Sequence, residues 1–161
     1  AIGLLCGLIL NKIESCNSII MSDPNKLRLK ECEKYLKAKF VNPDSKELNE
    51  SGFDIVLDTV GLEKSRQQAI HIVSPGGVII HVGLTEPEGT FNFKKLTIQE
   101  IILVGTYCYT NKDFKQAIDL LTKKSLGSLN WIEYRDLKKG VEAFKDIHEG
   151  SCVAPKIILL P

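Results

Sequence analysis

The chain has 161 residues, 43% of them hydrophobic and 25% charged, which is the composition of an ordinary soluble domain with one moderate core. Its 21 basic and 20 acidic residues leave a net charge of +1, so the sequence carries no electrostatic footprint of nucleic-acid or membrane-surface binding. Five scattered cysteines without a Cys-x-x-Cys pair exclude a zinc knuckle and predict reduced thiols in a cytoplasmic protein. No apolar run reaches the roughly 18 residues of a membrane helix.

The first part of the chain predicts helices and strands in alternation. Residues 2–14 predict a helix that is apolar nearly all round, which suits a helix buried against a sheet. There follow, in chain order, a strand over 18–22, a helix from Pro24 to about Lys37, a short strand over 39–42, a buried strand over 53–58 and a helix over 63–73.

The second part continues this alternation and then changes character. It predicts a turn at Pro75–Gly77, strands over 78–82 and 101–106, and a helix over 113–124. A tail over residues 125–161 predicts a strand, an amphipathic helix capped by Asp136, and a final strand over 156–160. The apolar side of that helix carries Leu137, Val141, Phe144 and His148.

The strands are continuously apolar and are separated by helices, which is typical of a parallel sheet covered on both faces. Right-handed crossovers then give a doubly wound α/β fold. Residues 1–5 read as the back half of a dinucleotide-binding turn, with Gly3 opening a helix whose amides would face a pyrophosphate. The sequence therefore predicts a Rossmann domain that lacks its first strand and its first two glycines, so we expect the natural protein to be longer.

Asp23 follows the second expected strand of this fold, about 20 residues after Gly3, which is the setting of the carboxylate that binds an adenosine ribose. Such a carboxylate accepts hydrogen bonds from the ribose diol and repels a 2′-phosphate, so it predicts NAD rather than NADP. The alternative is a helix cap before Pro24, and both roles are compatible. Arg28 lies one turn further on, where it reaches the adenine or the ribose, or is a plain surface arginine.

Three strand ends carry small or glycine-containing sequence: residues 58–61, 81–84 and 105–108. In an open parallel sheet, ligands bind at the carboxyl ends of strands, so these ends are candidate ligand contacts. Tight turns alone are the alternative explanation of their glycines. His81 is the one histidine near such an end. No Ser-His-Asp set, metal cluster or carboxylate pair follows from the spacing, so no catalytic and no metal-binding residue is predicted in this chain.

Four segments, at residues 22–29, 53–61, 74–84 and 101–107, together with the closing Ala143-Phe144, Gly150 and residues 156–159, resemble the zinc-type medium-chain alcohol dehydrogenases, in their sorbitol and threonine dehydrogenase-like branch. The resemblance covers the whole chain. It implies that Gly3 is the last glycine of the dinucleotide fingerprint and that Asp23, with Arg28 nearby, binds the adenosine ribose. It further implies that the nicotinamide half of NAD is lined by Thr59, Val60, Val82, Gly83, Leu84 and Tyr107.

The same resemblance implies an NAD-dependent enzyme that oxidises a small alcohol or polyol. Residues 1–124 would be its NAD-binding domain, and residues 125–161 a tail that returns to a catalytic domain. Zinc would belong to that catalytic domain, which is absent here, so the chain alone is expected to be inactive. The strand that ends before Tyr107 would pair across a homo-oligomer, as it does in dimers of the family.

Three alternatives stay open from the sequence. The first is a non-catalytic nucleotide-binding or subunit-interaction module. The second is a methyltransferase-like fold that binds S-adenosylmethionine, which also places an acidic residue after its second strand. The third is a zinc-independent reductase of the same superfamily, which Asp23 disfavours because such reductases often take NADPH.

Overall fold

The computed structural model of the chain describes residues 1–16, 18–50 and 52–161. They form two compact units, one made of residues 1–43 together with 111–161, and the other of residues 44–110. Helices and strands alternate along both units, and each described strand pair is parallel. The predicted α/β class with parallel sheets is therefore confirmed, whereas the division at residue 124 stays a prediction.

The first unit contains two parallel strand pairs, β1 with β2 and β6 with β7. Its elements are α1 (Ile2–Lys12), β1 (Ile20–Ser22), α2 (Lys26–Cys32), β2 (Lys39–Val41), α6 (Asn111–Thr122), β6 (Ile132–Asp136), a 3-10 turn (Leu137–Lys139), α7 (Gly140–His148) and β7 (Lys156–Leu160). The Asp136 carboxylate accepts a hydrogen bond from the Lys138 amide at 2.8 Å, so it caps the 3-10 turn that precedes α7. The predicted cap of the tail helix is therefore corrected, because α7 itself begins after Lys139 without a side-chain cap.

The core of the first unit lies around α1. Leu4 and Leu8 are buried there with Leu36 and Trp131, which explains why α1 is apolar on most of its surface. Gly7 allows the close approach, because a Cβ at this position would lie 2.6 Å from the Leu36 side chain. The sequence predicts the buried helix but does not single out Gly7.

The second unit is a three-stranded parallel sheet in the order β3–β4–β5. Its elements are α3 (Lys46–Glu50), β3 (Phe53–Asp58), α4 (Glu63–Ile72), β4 (Val73–His81), α5 (Phe93–Ile98) and β5 (Ile102–Gly105). Ala69 and Ile70 of α4 pack with Val73, Ile79 and Ile101 to form the core. The short helices α3 and α5 are absent from the predictions, because five or six residues carry too little periodicity to reveal a helix.

The predicted turn at Pro75–Gly77 lies inside a strand. Val73 already pairs with Phe53, and Val78 pairs with Ile55, so the residues between them form an irregularity in β4. Gly76 has a φ of +73°, and its amide donates to the Gln99 carbonyl at 2.8 Å. The glycine-rich sequence therefore marks a bulge within β4, and the strand begins before it rather than after it.

The helix predicted from Pro24 to Lys37 is shorter, because it begins at Lys26 and ends at Cys32. Asn25 caps it, since its side-chain oxygen accepts from the amides of Leu27 at 3.0 Å and Arg28 at 3.1 Å. The described strands form three separate sheets. The first strand of a doubly wound fold has no counterpart among the described elements, because α1 is the first of them.

Candidate functional site

Asp23 lies directly after β1 and is held from two sides. Its Oδ1 accepts a hydrogen bond from the Asn25 amide at 2.8 Å, and its Oδ2 forms an ion pair with Arg28 Nη1 at 3.3 Å. Both side chains keep roughly a quarter to a third of their surface exposed, 26% for Asp23 and 31% for Arg28. The structure thus brings together the two residues that the sequence proposed separately, and leaves the carboxylate accessible to a ligand.

The cap of α2 is Asn25 and not Asp23, so the capping alternative for Asp23 is replaced by a tight turn that leads into the helix. Asn25 also donates from Nδ2 to the Gly150 carbonyl at 2.9 Å, which links this turn to the end of α7. Asn25 is not among the residues predicted from the sequence. The strong preference of asparagine for the position before a helix was the pattern that could have revealed it.

Gly3 lies in the first turn of α1, and no described side chain caps that helix. The first turn holds no acidic residue, so its positive dipole is uncompensated there. α1 packs against β1, the strand that leads to Asp23, so α1 belongs to the same unit as the Asp23–Arg28 pair.

In the second unit, the buried Asp58 organises two strand ends. Its Oδ1 accepts from the amides of Val60 and Gly61, each at 3.0 Å, and its Oδ2 lies 3.2 Å from His81 Nδ1. Its own carbonyl accepts from the amides of Val82 at 2.9 Å and Gly83 at 3.0 Å. Asp58 and His81 are register partners across β3 and β4. This role of Asp58 is not among the predictions from the sequence, although a charged residue that closes an apolar strand was the signal for it.

The turns after β3 and β4 touch through glycine backbone. A Cβ on Gly61 would lie closer than 3.0 Å to the Gly83 carbonyl, and a Cβ on Gly83 would clash equally with the Val60 backbone. Gly61 also has a φ of +75°, which favours glycine by itself. These glycines therefore serve the contact between two strand ends, and tight-turn geometry explains only part of their presence.

The predicted nicotinamide-lining residues differ in accessibility. Tyr107 is 81% exposed, Leu84 72% and Val60 45%. Thr59 and Val82 are half-buried, and Gly83 is buried. The end of β5 is fixed to β4, because the Thr106 amide donates to the His81 carbonyl at 2.9 Å. The second unit thus presents apolar side chains next to backbone that is already ordered.

Neither a metal centre nor a membrane span occurs in the part of the chain that the structure describes. Over residues 1–16, 18–50 and 52–161, no three histidine, cysteine or acidic side chains are grouped so that they could hold a metal ion. Within those same ranges, none of the helices is both long enough and apolar enough to cross a bilayer. The cysteines of these ranges are free thiols, and burial raises the pKa of the Cys6 thiol.

Comparison with known proteins finds a consistent group. A family model described as zinc-binding dehydrogenase matches residues 1–123. Among curated proteins, D-xylulose reductase A of Aspergillus oryzae is 28% identical over 160 residues, which cover 92% of this chain and 43% of that protein. The chain therefore spans less than half the length of this relative.

Two solved structures share the fold. A protein described as a short chain alcohol dehydrogenase, from Escherichia coli CFT073 and complexed with NADH, superposes with a TM-score of 0.86 at 18% identity, over 99% of this chain and 49% of the other. Acetophenone reductase from Geotrichum candidum, in complex with NAD, gives a TM-score of 0.82 at 19% identity, over 96% and 45%. At these identities the likeness shows the fold alone.

Proposed function

The chain belongs to the zinc-binding dehydrogenase family, and from this premise we propose that it is the NAD(H)-binding part of an oxidoreductase acting on an alcohol or polyol. The observation that carries the proposal is the accessible Asp23–Arg28 pair at the end of β1, the setting in which a dinucleotide-binding sheet holds the adenosine ribose. The D-xylulose reductase of Aspergillus oryzae supports a polyol as substrate class.

The first unit suits the adenosine half of NAD. Each carboxylate oxygen of Asp23 accepts one hydrogen bond, Oδ1 from the Asn25 amide and Oδ2 from Arg28. Because a carboxylate has about four acceptor positions, further positions remain for a ribose diol. A 2′-phosphate would meet this negative charge, which favours NAD over NADP. The uncapped first turn of α1, at Gly3, would direct its amides and dipole at the pyrophosphate.

The second unit suits the nicotinamide half. Val60, Leu84 and Tyr107 would contact the ring, with Thr59, Val82 and Gly83 completing the lining. The bound nicotinamide would take up or return the hydride, while the residues of this chain bind and orient it. We propose no catalytic residue and no zinc ligand here. Zinc would act in the catalytic domain of the whole protein, and the chain alone would be inactive.

We also propose that residues 1–124 form the cofactor-binding domain and residues 125–161 a tail that docks on the catalytic domain. The exposed apolar side chains Val141 and Phe144 on α7 support the docking. The exposed apolar residues Ile102 and Val104 of β5, the last strand of its described sheet, support pairing in a homo-oligomer.

A non-catalytic nucleotide-binding or subunit-interaction module is the second candidate. If the whole protein oxidises polyols with NAD, the enzyme is supported. If it does not, the non-catalytic module is supported. The family match argues against the methyltransferase-like alternative.

Calorimetric titration of the protein with NADH and with NADPH tests the proposed function. We expect NADH to bind and NADPH to bind at least about tenfold more weakly, because Asp23 repels the 2′-phosphate. Binding of neither nucleotide would overturn the proposal. Tighter binding of NADPH would overturn the role of Asp23.

A further inference from the structure

Arg66 on α4 binds three main-chain carbonyls at once. Its Nη1 donates to the carbonyl of Gly61 at 2.9 Å and to that of Glu86 at 2.9 Å. Its Nη2 donates to the carbonyl of Glu88. Gly61 lies in the turn after β3, whereas Glu86 and Glu88 lie in the loop after β4. One guanidinium therefore joins the two segments that carry the proposed nicotinamide contacts.

Further hydrogen bonds tie the same loop, residues 84–90, to the start of α4. The Glu63 carboxylate accepts from the amide of Thr90 at 3.1 Å and from its hydroxyl. The Glu63 amide in turn donates to Glu86 Oε2 at 2.6 Å. Thr85 Oγ1 donates to the Val60 carbonyl at 2.6 Å. The hydrogen bonds from Thr90 hold the pKa of Glu63 below its usual range, so this carboxylate stays an acceptor at neutral pH.

The loop has no core of its own, because each residue from Leu84 to Thr90 is exposed. A segment without buried apolar contacts keeps its order only through such hydrogen bonds. The planar guanidinium is suited to this role, since its five N–H donors point in fixed directions, which the single ammonium of lysine cannot reproduce.

We propose that Arg66 is a positioning residue for the cofactor: it holds the Val60–Gly61 turn and the 84–90 loop in one arrangement before the nicotinamide half of NAD(H) arrives. The inference rests on the proposed function, because it assumes that these strand ends receive the nicotinamide. Arg66 does not touch the cofactor. Ordering a loop during binding costs free energy, so a loop that is already ordered binds more tightly.

The test compares two ligands that share the adenosine half. ADP-ribose is NADH without its nicotinamide ring, so the role of Arg66 predicts a change for NADH only. We expect Arg66→Met to raise the Kd for NADH about tenfold and to change the Kd for ADP-ribose less than about twofold. Arg66→Lys keeps the positive charge but lacks the several fixed N–H donors of the guanidinium, and we expect it to recover only part of the NADH affinity.

Lys64→Met is the matched control. It removes one positive charge from the same helix, and the ion pair of Lys64 with Asp44 at 2.9 Å is exposed. We expect both dissociation constants to stay within about twofold of the unaltered protein. If the lost positive charge were what weakens binding of the anionic ligand, Lys64→Met and Arg66→Met would weaken it alike. A positioning effect weakens NADH binding in Arg66→Met only.

Amide hydrogen exchange without any ligand provides the readout that is independent of the cofactor. We expect exchange over residues 84–90 to become faster in Arg66→Met and to stay unchanged in Lys64→Met. Unchanged exchange in Arg66→Met, or equal losses for NADH and ADP-ribose, overturns the role of Arg66 and leaves the proposed function standing. If the unaltered protein binds neither ligand, the proposed function fails and this inference fails with it.

Discussion

The candidate residues of the first unit and those of the second unit are held in place in different ways. Near Asp23, in the first unit, a carboxylate and a guanidinium that are each about a quarter to a third exposed offer side-chain chemistry to a ligand. At the strand ends of the second unit, a buried carboxylate, two touching glycines and an arginine bound to carbonyls order the main chain itself. A substitution in the first group should therefore mainly lower the affinity for a ligand. A substitution in the second group should mainly lower the free energy of unfolding.

The contact between glycines should show this difference most strongly. We expect Gly83→Ala to lower the free energy of unfolding by about 3 kcal/mol, because the new Cβ forces two turns apart. Urea denaturation measures the effect. Gly105→Ala is the control, since a Cβ there meets no heavy atom of the described residues within 4 Å, and we expect a change below about 0.5 kcal/mol. Equal urea midpoints for Gly83→Ala and Gly105→Ala would contradict the close contact between the turns that contain Gly61 and Gly83.

The buried carboxylate of Asp58 should come next. Asp58→Asn replaces one carboxylate oxygen by an NH2 group, which cannot accept a hydrogen bond. Either the amides of Val60 and Gly61 or His81 Nδ1 therefore lose their acceptor. We expect a loss of about 2 kcal/mol in the free energy of unfolding. Asp54→Asn, an exposed change on the same strand, should have an effect of less than about 0.5 kcal/mol in the same denaturation experiment. An Asp58 variant as stable as the control would show that the network carries no stability.

Asp23 should affect selectivity more than stability. We expect Asp23→Asn to weaken NADH binding about tenfold and to narrow the difference between NADH and NADPH, because the charge that repels a 2′-phosphate is gone. Calorimetric titration with both nucleotides measures this. Glu14→Gln removes an exposed negative charge from the same unit and should leave the ratio of the two constants unchanged. An unchanged ratio in Asp23→Asn would remove Asp23 from the site.

The smallest effect is expected at Asn25. Asn25→Ala loses the cap of α2 and the bond to the Gly150 carbonyl, and should lower the free energy of unfolding by about 1 kcal/mol. Asn25→Asp keeps the capping oxygen and loses only the donor to Gly150. Thermal denaturation of both variants separates the two contributions. If the aspartate variant is as unstable as the alanine variant, the bond to Gly150 and not the cap is what matters.

The sequence predicted the order and class of the main elements because apolar periodicity is local. Strands β3 and β7 were predicted to the residue, at Phe53–Asp58 and Lys156–Leu160, since each contains a short apolar run with clear limits. The predicted burial of β3 is corrected, because Asp54 and Ile55 are exposed. The position of Asp23 after a strand followed from a short-range pattern as well, whereas Asp136 caps the 3-10 turn and not the predicted tail helix. Whether Asp23 and the other proposed residues bind NAD(H) stays a prediction.

Tertiary structure alone decided the contacts that join distant segments. Gly61 and Gly83 look like ordinary turn glycines in the sequence, and only their meeting shows why a side chain is excluded. Arg66 resembles a surface arginine on a helix, yet its partners lie up to 22 residues away in the chain. Hydrophobic pattern and capping act over a few residues, so they can be read from the sequence. Hydrogen bonds from a side chain to remote carbonyls depend on where the folded backbone places those carbonyls, which no local pattern encodes.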